Sequence, residues 1–225
     1  MPGWNRQTSF CRTVSAITTL LVLSSLVSAE RLPIKSYTAA DGLPVDIVLR
    51  IKRDSRGFLW FCTRDGLSKF DGYQFTNYGK EQGLPHPLVN DLIESRDGTY
   101  WVATNGGGIC RFNPAERPDN QPASRFKVYS LAHNPASNIV NRLCEDREGR
   151  IWAGTDQGLL YFDQQQDRFT IAIPEARDVY SLLADRDGGL WIGAGNQLWR
   201  RSPDGLLVRY AFQVARDFGT NSCAV

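Results

Sequence analysis

A short phrase that ends in tryptophan occurs four times in the chain, and no other feature restricts the possible folds as strongly. Each copy carries a glycine three residues before its tryptophan: Gly57, Gly98, Gly149 and Gly188 precede Trp60, Trp101, Trp152 and Trp191. The intervals between the tryptophans are 41, 51 and 39 residues. Self-similarity at a period of about 40 residues indicates an array of equivalent supersecondary units.

The residues around the phrase predict what each unit is. A valine stands twelve residues before each tryptophan, and short apolar or alternating runs separated by glycine-rich turns follow it. Such runs indicate four short antiparallel strands per unit, and the Asp-Gly pair suits the hairpin turn between the first two. We therefore predict an all-β fold of four four-stranded antiparallel β-propeller blades, with the tryptophans packed between neighbouring blades.

The first 29 residues have a different character. Arg6 and Arg12 give a basic start, residues 14–27 are apolar and uncharged, and small residues lead up to Ala29. This pattern predicts a signal peptide that is cleaved after Ala29, and hence a periplasmic or otherwise exported protein. The apolar run of 14 residues is shorter than a transmembrane helix requires.

The chain accordingly divides into three segments with different composition. We assign residues 1–29 to the signal peptide, 30–212 to a partial β-propeller domain and 213–225 to a tail without repeat signal. Removing Arg6 and Arg12 with the leader leaves 24 basic and 24 acidic residues. A neutral chain without a basic run offers no surface for a nucleic-acid backbone, so no nucleic-acid partner is expected.

The repeat resembles a known family. Its residues read V-x-x-[IL]-x-x-[DS]-x-x-G-x-x-W and then T-x-x-G-L-x-x-F-D, with Gly-Leu-Pro at residues 42–44 and 83–85 before the next valine. This pattern is similar to the two-component regulator propeller repeat. The resemblance implies the periplasmic sensor region of a hybrid histidine kinase or diguanylate cyclase, usually a seven-bladed ring, with a small-molecule, often carbohydrate-derived, ligand.

The chain differs from that family in extent. It has four tryptophan units and no kinase, cyclase or transmembrane motif, so we interpret it as a truncated fragment of an incomplete seven-bladed ring. Residues 34–37 keep the spacing to Gly42 that Tyr78 keeps to Gly83, and are predicted to be an outermost strand. Open sheet edges favour self-association. Membrane attachment would come only through a missing downstream region, and a non-functional truncated product is a further alternative.

The cysteines and acidic turns give no sign of a metal or other cofactor. Cys62 and Cys144 stand where other units have small or aliphatic residues, so they are interpreted as free buried thiols, and no C-x-x-C spacing is present. Cys223 lies in the tail. Asp185-Arg186-Asp187-Gly188 reads as a hairpin turn rather than the start of a calcium loop, because no suitably spaced glutamate follows.

The candidate ligand-binding residues lie in the connections. His86 and His133 fall in segments that lead into a unit. Asn105, Gly106 and Gly107 belong to a stretch whose extra glycine breaks the register of the first and third units. Glycines allow a ligand close to the backbone, although variation in loop length explains them as well.

Two classes of function remain open. The first is a non-catalytic sensor module without an output domain in this chain. The second is a propeller enzyme, because the residues from Gly57 to Thr63 also resemble streptogramin lyases. That resemblance implies acid and base catalysis by histidine on a metal-assisted substrate. With only His86 and His133 in the sequence, the low histidine content favours the sensor.

Overall fold

The computed structural model describes residues 34–114, 125–131 and 138–211. The chain divides into two units, Met1–Ser36 and Tyr37–Val225. In the first unit the described residues, 34–36, have no regular secondary structure. The predicted signal peptide and C-terminal tail lie outside the described residues, so both remain predictions.

The second unit is built from four-stranded antiparallel sheets, each with its strands in chain order. Blade 1 contains β1 (Val48–Arg53), β2 (Leu59–Thr63), β3 (Gly66–Phe70) and β4 (Phe75–Tyr78). Blade 2 contains β5 (Val89–Glu94), β6 (Tyr100–Thr104), β7 (Ile109–Phe112) and β8 (Phe126–Tyr129). Blade 3 contains β9 (Val140–Glu145), β10 (Ile151–Thr155), β11 (Gly158–Asp163) and β12 (Arg168–Ile173). Blade 4 contains β13 (Val179–Ala184), β14 (Leu190–Ala194), β15 (Gln197–Arg201) and β16 (Leu207–Ala211). The predicted fold class is confirmed.

The first strands of neighbouring blades contact one another: β1 lies against β5, β5 against β9, and β9 against β13. These strands are therefore the inner edge of the array, and the fourth strand of each blade lies at its outer edge. Short 3₁₀ turns, Ala39–Asp41 and Lys80–Gln82, precede β1 and β5. The predicted incompleteness of the ring is a separate matter and stays a prediction.

The Asp-Gly phrase forms the hairpin between the first and second strands, as predicted. Gly57 has a φ of +90°, a left-handed conformation that glycine adopts at low cost. The carboxylate of Asp54 accepts the backbone N–H groups of Arg56 and Phe58 and also the indole Nε1–H of Trp60, at 2.9 Å. The sequence did not reveal this last bond, which ties the turn to the tryptophan that ends the phrase.

The hydrophobic core lies between blades rather than within one sheet. Trp60, 0% exposed, packs with Tyr78 of its own blade and with Tyr100 and Phe112 of blade 2. Trp101 likewise packs against blade 3 and Trp152 against blade 4. The predicted packing of tryptophan between blades is confirmed for these three, whereas Trp191 in blade 4 is partly exposed.

The expectation of an outermost strand at residues 34–37 is wrong, because these residues form no strand. Tyr37 nevertheless keeps the packing of an outer-strand tyrosine. Its ring lies edge-on to Phe70 with centroids 5.1 Å apart, as Tyr78 lies to Phe112 at 5.0 Å. The Asn77 amide donates to Gly42 O at 2.9 Å and holds the following turn on blade 1.

Candidate functional site

The connections between blades and the loops between second and third strands lie at one end of the blades, which we call the connection face. Two of the predicted candidate segments meet there. His86, in the connection from blade 1 to blade 2, lies against Gly106 and Gly107 in the β6–β7 loop. His133 lies outside the described residues, so its predicted place in the site is not tested.

The glycines permit this contact. A Cβ at Gly107 would lie 3.0 Å from the Cβ atoms of both His86 and Pro85, and 2.9 Å from Thr104 Oγ1. A Cβ at Gly106 would approach the His86 ring to 3.3 Å, at a φ of +124°. The glycine-rich loop therefore packs directly on the blade connection, and any side chain larger than hydrogen would push the two apart.

Backbone hydrogen bonds fix the same loop to both of its neighbours. Asn105 N donates to Leu88 O at 3.0 Å. On the other side, Gly106 N and Gly108 N donate to Asn138 O at 3.2 and 3.0 Å. The loop thus links the entrance of β5 in its own blade to the entrance of β9 in blade 3, and its position depends on the relative placement of these two blades.

Two polar side chains of this cluster remain available to a ligand. His86 Nδ1 accepts a hydrogen bond from Leu88 N at 3.2 Å, and Nε2 has no hydrogen-bond partner among the described residues. The Asn105 amide forms no side-chain hydrogen bond among the described residues, and both residues are partly exposed. An imidazole and an amide can together donate to and accept from hydroxyl or carbonyl groups.

Polar residues of the inner strands extend the connection face towards the inner edge, and sequence reasoning missed them. Their signal was present in the sequence, since Asn90 and Asn141 each stand directly after the repeat valine. Asn90 Nδ2 donates to Val140 O at 2.9 Å, and Asn141 Nδ2 donates to Asp156 Oδ1 at 2.8 Å. These amides connect blade 2 to blade 3 and β9 to its own β10–β11 loop.

Asp91 is the most buried charged group of this inner edge, at 1% exposure. Burial raises the pKa of its carboxyl, while the Lys52 ammonium at 3.6 Å and the backbone N–H groups of Leu143 and Leu92 act in the opposite direction. Asp91 Oδ2 accepts from Leu143 N at 3.1 Å. One carboxylate in blade 2 therefore holds a lysine of blade 1 and the backbone of blade 3.

A second concave region lies at the opposite end, between the hairpin turns of blades 1 and 2. This cavity has a volume of about 520 Å³. Its lining includes the cations Arg56, Arg111, Arg125 and Lys127, against the carboxylates of Glu94 and Asp97. Its charge balance suits an anionic group, but Arg56 already donates to Tyr100 and Lys127 already pairs with Asp167.

The cysteines do not build a reactive or metal-binding site in the described part of the chain. Cys62, Cys110 and Cys144 are free thiols. Burial raises the pKa of Cys62, with a minor contribution from Asp91, and raises the pKa of Cys110 to about 12. The prediction of a free thiol is confirmed for Cys62 and Cys144, although Cys144 is only partly buried. Within the described residues no cluster of histidine, cysteine and acidic side chains could hold a metal ion.

Three segments of the chain match the model of a known repeat family. The family model of the two-component regulator propeller matches residues 83–106, 134–157 and 174–196. These three segments resemble two-component regulator propeller repeats. The match covers parts of the three units whose inner strands are β5, β9 and β13, so the resemblance inferred from the sequence motif is confirmed.

The propeller is similar to sensor proteins at both sequence and structure level. Histidine kinase P4 of Formosa agariphila is 43% identical over 58 residues, which are 26% of this chain and 4% of that protein. The extracellular domain of a hybrid two component system from B. thetaiotaomicron superposes with a TM-score of 0.65 at 25% identity, covering 79% of this chain and 26% of that domain. The chain thus spans a small part of the length of these relatives.

More distant structures share the fold alone. Virginiamycin B lyase from Staphylococcus aureus, solved with quinupristin, superposes with a TM-score of 0.58 at 17% identity, covering 81% of this chain and 58% of the lyase. Among the described residues there is no candidate transmembrane helix.

Proposed function

We propose that this chain is the ligand-sensing propeller of an extracytoplasmic two-component-type sensor, and that its connection face binds a small, carbohydrate-derived molecule. The observation that carries the proposal is the contact of His86 with the Gly106–Gly107 loop. It brings the imidazole of His86 to the loop that carries Asn105, at a place where the sequence departs from the repeat. Residues that serve only blade packing follow the repeat, so a departure on a surface loop favours a binding role.

The arrangement suits a hydroxyl-rich ligand. Asn105 supplies a neutral amide on the connection face, and carbohydrate hydroxyls pair with amide donors and acceptors without a large desolvation cost of charge. Export to the periplasm, with cleavage after Ala29, is part of this proposal. The extracellular placement of the solved relative supports it.

We also propose that the chain is not an enzyme. The lyase alternative needs a second catalytic group beside a histidine, and among the described residues no carboxylate or second histidine is hydrogen-bonded to His86. Incubation of the purified chain with quinupristin should leave the antibiotic intact by mass spectrometry. A converted product would establish the enzymatic alternative.

Binding is tested by thermal-shift and calorimetric titration of the purified chain with neutral and uronate-containing oligosaccharides. The affinity for an oligosaccharide that binds should fall about tenfold or more in Asn105→Ala, since one lost hydrogen bond to a desolvated partner has that order of effect. Gln165→Ala, which truncates an exposed amide in the β11–β12 turn, is the matched control.

The result also distinguishes the two ends of the blades. An acidic oligosaccharide whose affinity falls in Arg111→Met and not in Asn105→Ala would place the site in the cavity between the hairpin turns and contradict the connection-face proposal. No binding across the panel would argue against carbohydrate sensing.

A further inference from the structure

The cavity between the hairpin turns of blades 1 and 2 contains two arginines that have no anionic partner. Four cationic side chains line it: Arg56, Arg111, Arg125 and Lys127. Arg56 donates to the Tyr100 hydroxyl at 3.0 Å, and Lys127 pairs with Asp167. In the part of the chain that the structure describes, Arg111 and Arg125 form neither a hydrogen bond nor an ion pair. Two positive charges of this cavity are therefore not neutralised by a neighbouring side chain.

A comparison with blade 4 shows which partner Arg111 lacks. Arg111 lies opposite Trp101 in the strand register of blade 2, as Arg200 lies opposite Trp191 in blade 4, so the two arginines are equivalent. Arg200 donates to Asp185 Oδ2 through Nε at 3.2 Å and through Nη2 at 2.9 Å. The repeat thus provides a carboxylate for this arginine in blade 4.

Blade 2 has lost that carboxylate. The residue six positions before the tryptophan is Ser95 in blade 2, whereas the other units have Asp54, Asp146 and Asp185. Ser95 Oγ donates to Asp97 Oδ1 at 2.7 Å. A neutral hydroxyl cannot neutralise Arg111, so an anion from solution can take the role that aspartate has in the other units.

Arg125 provides a second donor that lacks an acceptor. Its Nε is buried and has no hydrogen-bond partner among the described residues. Its guanidinium carbon lies 5.9 Å from the ring centroid of Tyr78 in blade 1. A buried guanidinium donor without an acceptor is unfavourable, and an oxyanion bound to this guanidinium would compensate for part of that cost.

The two carboxylates that line the cavity have other partners. Glu94 accepts hydrogen bonds from Ser55 N at 2.6 Å and from Ser55 Oγ at 2.8 Å. Asp97 accepts from Ser95, and this bond is the largest cause of its lowered pKa, to which the charge of Arg111 contributes less. The hairpin turns therefore hold both carboxylates, and the two arginines stay available.

The donors define the class of ligand. A guanidinium presents paired N–H groups that match the oxygens of sulfate, phosphate and carboxylate. Two unneutralised guanidiniums favour a divalent anion over a monovalent one. The volume of about 520 Å³ exceeds that of a single ion and lies in the range of small-molecule sites.

We propose that this cavity binds the sulfate or phosphate group of a small molecule, with Arg111 and Arg125 as its donors. Both walls of the site belong to neighbouring blades that pack directly on one another, blades 1 and 2. The site lies at the opposite end of the blades from the connection face, so the proposal does not rest on carbohydrate sensing there.

Titration of the full purified chain with sodium sulfate and with sodium phosphate tests the proposal, by calorimetry and by the shift in melting temperature. Sodium chloride at matched ionic strength is the reference, because sulfate also stabilises proteins by exclusion from their surface. A bound ion gives a saturable shift, whereas exclusion does not saturate. Glycerol 3-phosphate distinguishes the two sources of the group: tighter binding than inorganic phosphate assigns an ester, and equal binding assigns the free ion.

Three variants locate the bound group. Arg111→Met and Arg125→Met should each raise the dissociation constant about tenfold or more, since each removes a charge-assisted donor. Ser95→Asp restores the repeat carboxylate and should have the same effect by neutralising Arg111. Blade 4 has the same spacing of carboxylates in Asp185 and Asp187, so Ser95→Asp is expected to fold.

Two controls keep the site separate from general salt effects and from the connection face. Arg168→Met, at an exposed arginine of β12, should leave sulfate binding unchanged, and so should Asn105→Ala. Saturable binding that is lost in Arg111→Met and in Ser95→Asp supports the site, and Ser95→Asp decides if Arg111→Met does not fold. Sulfate and phosphate that act like chloride, or binding that persists in Ser95→Asp, would overturn it.

Discussion

The indole Nε1 of Trp152 donates a hydrogen bond to Asp146 Oδ2 over 2.7 Å, and the two residues are 1% and 4% exposed. The same carboxylate accepts the backbone N–H groups of Glu148 and Arg150. One side chain therefore closes the hairpin turn and also satisfies the buried donor of the tryptophan that fills the space between blades 3 and 4. Desolvation raises the pKa of the equivalent Asp54, but bonds from Trp60, Tyr100 and the turn backbone outweigh it and lower that pKa.

Removing the indole donor should therefore lower the free energy of unfolding more at Trp152 than at a tryptophan whose indole N–H is not hydrogen-bonded. We expect Trp152→Phe to lower the free energy of unfolding by about 2–3 kcal/mol, from a lost buried hydrogen bond, an orphaned carboxylate oxygen and lost volume. Trp199 is the matched control because its buried Nε1 has no hydrogen-bond partner among the described residues. Trp199→Phe should cost at most about 1 kcal/mol in urea denaturation. Equal costs would show that the Asp146 bond contributes nothing.

The buried Asp91 carboxyl should make stability depend on pH through Lys52. Because the folded-state pKa of Asp91 is raised, the folded chain binds more protons than the unfolded chain between the two pKa values. Stability contributed at this site therefore falls as pH rises above about 4. Lys52→Met removes the opposing charge and raises the pKa of Asp91 further.

We expect Lys52→Met to lower the unfolding free energy by about 1–2 kcal/mol at pH 7, and by much less at pH 4, where the carboxyl is more fully protonated. Denaturation curves at several pH values give the comparison. Lys80→Met, at an exposed lysine in the turn before β5, should show no such dependence. A loss of unfolding free energy in Lys52→Met that is constant with pH would show that Lys52 does not act through the Asp91 carboxylate.

The contact between the glycine loop and His86 should not tolerate a methyl group. Gly107→Ala places a Cβ 2.9 Å from Thr104 Oγ1 and 3.0 Å from His86 Cβ. We expect a loss of about 1–3 kcal/mol in unfolding free energy, as in other overpacked sites. Gly79→Ala is the control, since its nearest contact is an ordinary 3.5 Å to Gln82 Oε1. Melting temperatures of the two variants that differ by less than a degree would contradict the close packing.

Arg96 should strengthen the contact between blades 2 and 3. Its guanidinium donates to Asp146 O at 2.6 Å and to Arg147 O at 2.7 Å. Arg96→Met is expected to lower the unfolding free energy by about 1–2 kcal/mol, because two turn carbonyls lose charge-assisted donors. Arg147 occupies the same repeat position in blade 3 and has no such side-chain bond among the described residues, so Arg147→Met should cost about 0.5 kcal/mol or less. Chemical denaturation of both variants would reveal a similar cost if the carbonyl bonds were unimportant.

The repeat phrase was sufficient to predict the blades because turns and strands depend on residues that are close together in the sequence. Gly57 and its equivalents mark a hairpin, the runs on either side have the period of strands, and Trp60 recurs at one register. None of these inferences needs a contact between distant residues. The candidate site was only partly accessible in this way. His86 and Gly106 were singled out separately, as a loop histidine and a break in register, without any sign that they touch.

Sequence alone therefore determined the number of units, their four-strand composition and the position of the packing tryptophans, since turn chemistry and alternation act within a few residues. Tertiary structure alone decided which groups meet across blades: Asp91 with Lys52 and Leu143, and His86 with Gly107. It also showed that residues 34–37 do not form a strand, even though Tyr37 keeps the packing of one. A strand requires a partner for its backbone hydrogen bonds, whereas the aromatic side chain of Tyr37 needs only a neighbouring surface. The spacing of residues in the sequence does not distinguish the two cases.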